Sequence, residues 1–278
     1  MTRYGMVIDL SKCIACYGCF AACKDEHWDN DYPPYTAGQP RFGQFWINPV
    51  KKERGEYPFV RVAYMPMLCQ QCGDAPCMDA AKDGAVFRKK NGVVVFDPVK
   101  SVGQRQIMEA CPYGVVYWNE EKNIPQKCTL CAHRIDEGKT PRCVQFCPSG
   151  CLTFGDFDDP KSDVAKLLAS GKAEVFHPEW ENKPTIYYSN LKKGTSSLVG
   201  GAVALHDVNE CAEGAVVVLT GEGKRRQTKT DAFGNFEFDG LQPGNYSVRV
   251  KARGYKPQAA KFELETSKYL GTFDLAKS

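Results

Sequence analysis

Long hydrophobic runs are missing from this 278-residue sequence; its apolar stretches, such as 214–219, fall far short of the roughly 20 residues a membrane-crossing helix needs. A transmembrane subunit is therefore excluded. Charge of one sign is missing as well, since 36 Lys and Arg face 33 Asp and Glu, which excludes the strongly basic surface of a nucleic-acid binder. The opening residues, MTRYGMVIDL, hold neither a cationic segment followed by an apolar one nor a twin arginine. The expected location is thus the cytoplasm, with export only alongside a signal-bearing partner. Histidine is scarce, with four residues, and after residue 151 cysteine occurs only at Cys211.

What is abundant lies upstream, where thirteen of the fourteen cysteines precede residue 152. They fall into runs: Cys13-x2-Cys16-x2-Cys19-x3-Cys23, Cys69-x2-Cys72-x4-Cys77, Cys111-Pro112, Cys128-x2-Cys131-x11-Cys143-x3-Cys147-Pro148, and Cys151. Disulfides suit small secreted domains and do not fit this chain. A structural zinc site takes two close Cys-x2-Cys pairs and has no use for a Cys-x2-Cys-x2-Cys run. A c-type haem needs His directly after the second cysteine, and Ala132 separates Cys131 from His133.

Iron–sulfur cubanes fit, because each iron needs one thiolate and a tight Cys-x2-Cys-x2-Cys loop wraps three corners while the fourth arrives from elsewhere. In two-cluster ferredoxins the fourth cysteine of each run ligates the other cluster. That pattern predicts Cys13, Cys16, Cys19 and Cys147 on a first cluster, and Cys23, Cys128, Cys131 and Cys143 on a second. Cys69, Cys72 and Cys77 then need a fourth thiolate, and Cys111 is the clustered candidate left, making a third [4Fe–4S] cluster. Cys151 reads as a small buried residue beside a cluster and Cys211 as a strand-end residue. Three oxidised clusters, about −2 each, would shift the formal charge of +3 by roughly −6.

These runs resemble the iron–sulfur subunits that accompany molybdopterin enzymes of the dimethyl sulfoxide reductase family, which look like two fused bacterial-type ferredoxins with four clusters. The departures are specific: the cysteines of one cluster would fall at Ala81, Ser101, Gln104 and Ile107, so one whole site is lost and three are kept. That loss, with the segments 53–58 and 111–121, is most similar to the branch serving anaerobic hydroxylases and transhydroxylases of polyhydroxybenzenes. The resemblance covers nearly the entire chain. It implies a heterodimer with a large catalytic subunit that carries molybdenum or tungsten on its molybdopterin cofactor, while this chain transfers electrons and holds no catalytic residue. It also implies that the lost site sat between the second and third clusters, which would leave the third remote. Two alternatives remain at this level: a subunit of a respiratory reductase of arsenate, polysulfide or similar acceptors, and a freestanding polyferredoxin.

The expected architecture is an α+β ferredoxin-like domain of two pseudo-repeated units over 1–155, then a connector, then an all-β antiparallel sandwich of the carboxypeptidase-regulatory or transthyretin-like type over 196–278. Short strands are predicted at 4–9, 93–96 and 115–118. An aromatic- and proline-rich insertion at 24–68 reads equally as a lid over the clusters or a docking arm. The connector, 156–195, has one predicted helix at 162–170, closed by Gly171, and is expected to dock the partner. Beyond it, alternating runs separated by Gly, Pro and Asn turns point Phe236, Phe238, Tyr246, Val248 and Val250 inward. Lys224, Arg225 and Arg226 read as a solvated hairpin tip. His206 beside Asp207 reads as surface polarity, as do His27 and His177; His133, two residues after Cys131, is the histidine expected to tune the second cluster by hydrogen bonding.

Overall fold

The computed structural model describes residues 2–278 and divides them into two compact units, residues up to 51 with 64–191, and 52–63 with 192–278. Most regular structure is strand, and most helices are single turns.

The first unit is organised on the strand Tyr4–Asp9, which pairs antiparallel with Leu152–Asp156 on one edge and parallel with Ile186–Ser189 on the other; Ala173–Val175 completes a four-stranded sheet. Its apolar run is continuous because both faces are covered. Met6 and Ile8 enter the main core with Trp46, Met65, Leu68 and Tyr188, while Val7 faces Phe157 and Val164 on the opposite side. Gly5 is required there, since a Cβ would lie 2.1 Å from the Thr185 carbonyl oxygen.

The segment 156–195 therefore differs from a simple connector: two of its stretches are strands of this sheet, and the helix Asp163–Ala169 covers it. Its Pro178, which opens the 3-10 turn Pro178–Trp180, and Pro184 both lie between those strands. Within the insertion Ile47–Glu56 and Phe59–Leu68 pair as a long hairpin, of which 52–63 belong to the second unit, and Trp46 just before it is buried. Two smaller hairpins, Val86–Arg88 with Val94–Phe96 and Tyr117–Asn119 with Ile124–Gln126, complete the unit.

The second unit holds two four-stranded sheets. One joins Ser197–Leu205 to Glu210–Cys211, Asn235–Leu241 and Lys268–Leu275; the other runs Lys224–Lys229, Val216–Gly221, Gly244–Lys251, Gln258–Leu264. Phe236, Phe238, Tyr246, Val248 and Val250 are all buried in a shared core with Val199, Val217, Leu219, Leu264 and Phe273. The sheets are antiparallel except for Lys268–Leu275, which runs parallel to Ser197–Leu205. A strand arriving from the opposite sheet is not bound by hairpin geometry, so its direction is free. Lys224, Arg225 and Arg226 open an edge strand just past the turn, and Arg226 donates to the carbonyls of Asp239 and Gly240 at 2.6 and 3.0 Å. Cys211 ends its short strand exposed.

Candidate metal centres

The helix Gly18–His27 positions the first ligand run. Cys19, Ala22, Cys23 and His27 form its buried face, a spacing of three, one and four residues that stacks on one side of a helix. The loop before it is bent by left-handed residues, Ala15 at φ 56° and Tyr17 at φ 57°. The other Cys-x2-Cys turns are bent in the same way, with Gln71 at φ 50°, Leu130 at φ 51° and Cys131 at φ 52°. Non-glycine residues rarely adopt this conformation without a local demand. Here it turns successive backbone N–H groups toward the thiols, as in anion-binding nests. Leu130 N–H lies 3.4 Å from Cys128 Sγ, and Cys151 N–H lies 3.3 Å from Cys147 Sγ.

Three thiol groups are brought together. Cys19 is buried, and that burial pushes its thiol up to about 12, with Cys13, Cys147 and Cys16 adding like charge around it. Cys151 stands beside this group and its thiol hydrogen-bonds Cys13, holding Cys13 down to about 6 against the opposing effect of burial. In the second group burial raises every thiol: Cys23 and Cys143 well above the usual range, Cys128 to about 12, Cys131 to about 11. Cys23 and Cys143 both lie in the field of Cys128 and Cys131. In the third, burial raises Cys72 and Cys77 to about 12, with Cys69 and Cys111 as their thiol neighbours. Burial raises Cys111 too, while the backbone N–H groups of Val115, Tyr113 and Gly114 oppose it.

Thiols gathered in this way would repel one another as bare thiolates, so the donor set fits a cationic core that offers each sulfur its own metal atom. All fourteen cysteines are unpaired.

The groups form a row. Cys19 of the first acts on Cys23 and Cys143 of the second, and Cys69 of the third acts on Cys128 of the second. The second and third are also tied by Gln71, whose side-chain amide donates to the Cys128 carbonyl at 3.0 Å and accepts from Val94 N–H at 2.8 Å. The expected remoteness of the third group is thus overturned: it adjoins the second. Positions of the lost site pack against the third group's own cysteines, in a core where hydrocarbon stands in place of ligands. Ile107 is fully buried with Ala85, Val86, Val94, Phe96 and Val116, and Ala81, Cys77 and Cys111 pack against them. Gln104 fills the polar part, its side chain bonding Lys82 N–H at 2.8 Å and the Lys100 carbonyl at 2.8 Å, while Ser101 is buried beside it in sequence.

The histidine next to a ligand is also not the expected one. His27 Nε2 lies 3.6 Å from Cys131 Sγ, and burial drives its pKa down to about 3, so the ring is neutral. His133 turns the other way, bonding Glu26 at 3.0 Å and stacking on Tyr32 at 3.6 Å. Glu26 collects Arg134 and Arg142 as well, at 3.3 and 3.4 Å. The signal for His27 was available as the helical face it shares with Cys19 and Cys23. His206 is exposed and pairs with Asp274 rather than Asp207, and His177 pairs with Glu179.

A family model described as a 4Fe-4S dicluster domain matches residues 60–157, and one described as a carboxypeptidase regulatory-like domain matches 199–275. The pyrogallol hydroxytransferase small subunit of Pelobacter acidigallici is 40% identical over 259 residues, 91% of this chain and 92% of that protein. The arsenate respiratory reductase iron-sulfur subunit ArrB of Shewanella sp. (strain ANA-3) is 31% identical over 234 residues, 67% of this chain and 95% of that protein. Protein NrfC of Escherichia coli is 34% identical over 198 residues, 70% of this chain and 84% of that protein.

Proposed function

The chain belongs to the iron–sulfur electron-transfer subunits that accompany molybdopterin enzymes of the dimethyl sulfoxide reductase family, and from that premise we propose that it holds three [4Fe–4S] clusters and serves a large pyranopterin subunit that hydroxylates or transhydroxylates polyhydroxybenzenes. The observation that carries this reading is the row of three thiol groups with a fourth site filled by side chains. Cys13, Cys16, Cys19 and Cys147 would hold the first cluster, Cys23, Cys128, Cys131 and Cys143 the second, and Cys69, Cys72, Cys77 and Cys111 the third. Such clusters supply one-electron storage and transfer, while substrate chemistry belongs to the partner.

The chain's own residues do three things in this scheme. Nest-forming loops aim N–H groups at sulfur, which favours the anionic thiolate. Buried aromatics such as Trp46 and Tyr188 keep water away from the groups. At the first group, Cys16 is exposed and Ile14, Tyr17 and Phe146 stand out into solvent close to it in sequence or fold. An apolar patch at the exposed end of the row supports docking of the large subunit there, with segment 156–195 as a further docking element. The substrate class rests on the likeness to the Pelobacter acidigallici subunit. A respiratory reductase is the second reading, favoured by the likeness to the Shewanella subunit over a smaller share of the chain. A cytoplasmic location belongs to the same proposal, and cell fractionation tests it.

Elemental analysis of the protein captured anaerobically from its native host decides the main points. About 12 iron atoms per chain with about one molybdenum or tungsten, and turnover of a polyhydroxybenzene by the captured complex, is the expected result. Iron at that level with neither metal would replace the heterodimer by a freestanding ferredoxin. Iron with molybdenum or tungsten, and turnover of arsenate or a sulfur compound alone, would replace the aromatic substrate.

A further inference from the structure

Lys127 is one of the most deeply buried large side chains in the protein, 2% exposed. Its Nζ donates to the carbonyl oxygens of Val94 at 2.5 Å and Cys128 at 3.2 Å, and lies 4.9 Å from the centre of the Phe96 ring. Among the described residues it makes no ion pair with a carboxylate. An ammonium in low dielectric is costly to bury with dipoles alone, so something anionic must face it. The Cys128 carbonyl that it bonds belongs to a ligand of the second group, and the Val94 and Phe96 that seat it share a core against which Cys77 and Cys111 of the third group pack. Val94 and Phe96, which seat the ammonium, belong to the core that fills the lost fourth site.

We propose that Lys127 is the built-in counter-cation of the second and third clusters, its ammonium fixed in the gap between their thiol groups so that both accept an electron more readily than they would without it. The inference rests on the three-cluster reading above. A one-electron reduction adds a negative charge to a cluster, and a fixed cation nearby in a water-poor setting favours the state that carries it. The effect should be unequal. On Cys77 the charge of Lys127 is the strongest influence after burial, on Cys72 and Cys128 it ranks behind the neighbouring thiols, and it does not figure among the influences on Cys19 of the first group. The third cluster should therefore move most, the second less, and the first serve as an internal reference.

The test is a redox titration of the intact heterodimer with dithionite as the electron source, followed by EPR, in the parent, Lys127→Gln and Lys127→Arg. The glutamine keeps a donor for the two carbonyls and removes the charge; the arginine keeps the charge. In K127Q the ratio of reduced to oxidised third cluster at fixed potential should fall at least tenfold, which is 59 mV for a one-electron couple, with a smaller fall at the second and none at the first. K127R should stay within a few-fold of the parent. Unchanged potentials in K127Q, or equal shifts of all three clusters, would overturn the proposal. Should K127Q lose iron while K127R keeps about 12 atoms per chain, the requirement for charge stands; loss in both would overturn it and leave Lys127 a packing residue. Parent protein with fewer than three clusters would fail the reading beneath the proposal, and the iron assay shows that before any variant is made.

Discussion

The two units solve the problem of a core by different means. The second buries valines, leucines and aromatics between two sheets. The first buries Cys19, Cys23, Cys69, Cys128, Cys143 and Cys151 among its core residues, and around them the helices Pro76–Asp79, Gln106–Glu109, Ala132–Asp136 and Arg142–Gln145 are single turns, too short to be stable by themselves. Hydrocarbon gains by leaving water whatever else is present. A buried thiol packs as a small hydrophobe, but the thiolate a cluster needs is costly to bury until a metal's charge offsets it. The contrast teaches that the first unit's fold is coupled to its inorganic content, in the sense that metal-binding free energy is folding free energy, whereas the second unit's is not.

The largest expected effect follows directly. Stripping iron anaerobically from the whole chain with a chelator should abolish hydrogen-exchange protection in Tyr4–Asp9 and Leu152–Asp156 while leaving Val216–Gly221 and Gly244–Lys251 protected. Persistent protection of Tyr4–Asp9 in the iron-free chain would break the comparison, because it would show that the sheet and its apolar faces suffice.

A smaller effect sharpens it from inside the first unit, at the filled fourth site. Ile107 there does what a ligand does in the neighbouring group, and it does so by packing. Ile107→Ala should cost about 2–5 kcal/mol in a thermal or denaturant melt, the range for a large-to-small change in a well-packed interior. Iron per chain should stay at the parent's value. Loss of iron from this variant would mean that the plug also holds Cys77 and Cys111 in place, and the division between packing and ligation would fail at that point.

Much of this was legible in the sequence, and the reasons differ by element. Ligand spacing reflects local geometry, so the runs around Cys13, Cys69 and Cys128 were readable from their intervals. Alternation reflects a half-buried strand, so 235–238 and 246–251 were readable from Phe236, Phe238, Val248 and Val250. Strands that lack a clean apolar alternation were not. Ser197–Leu205 is interrupted by Gly200 and Gly201, and Gly201 is needed because a Cβ would meet the Phe236 ring at 2.5 Å. Lys224–Lys229 is an edge strand whose charges hide its pairing, as edge strands commonly do. The place of the third thiol group beside the second was also hidden, since it depends on Gln71 and Lys127, polar residues whose burial no local pattern announces. The nearest histidine to a ligand was misread for a related reason: proximity in sequence favoured His133, while the helix carries His27 to Cys131.

The smallest expected effect uses histidine to compare the two units once more. In the first, burial holds His27 neutral. In the second, His206 is fully exposed and its Nδ1 lies 2.6 Å from Asp274, which raises its pKa above the usual 6.5, first through the hydrogen bond and then through the carboxylate's charge. A raised folded-state value means that the pair's contribution to stability is fully present below about pH 6.5 and is lost as pH rises through the folded-state pKa. His206→Asn should therefore lower the melting temperature of the second unit slightly at pH 6 and leave it unchanged at pH 8.5. Because the pair stands in water, 1 M salt should erase the difference at pH 6 as well. A difference that persisted at pH 8.5 or in high salt would point to packing by the ring in place of charge, and would bring His206 closer in kind to its buried counterpart in the first unit.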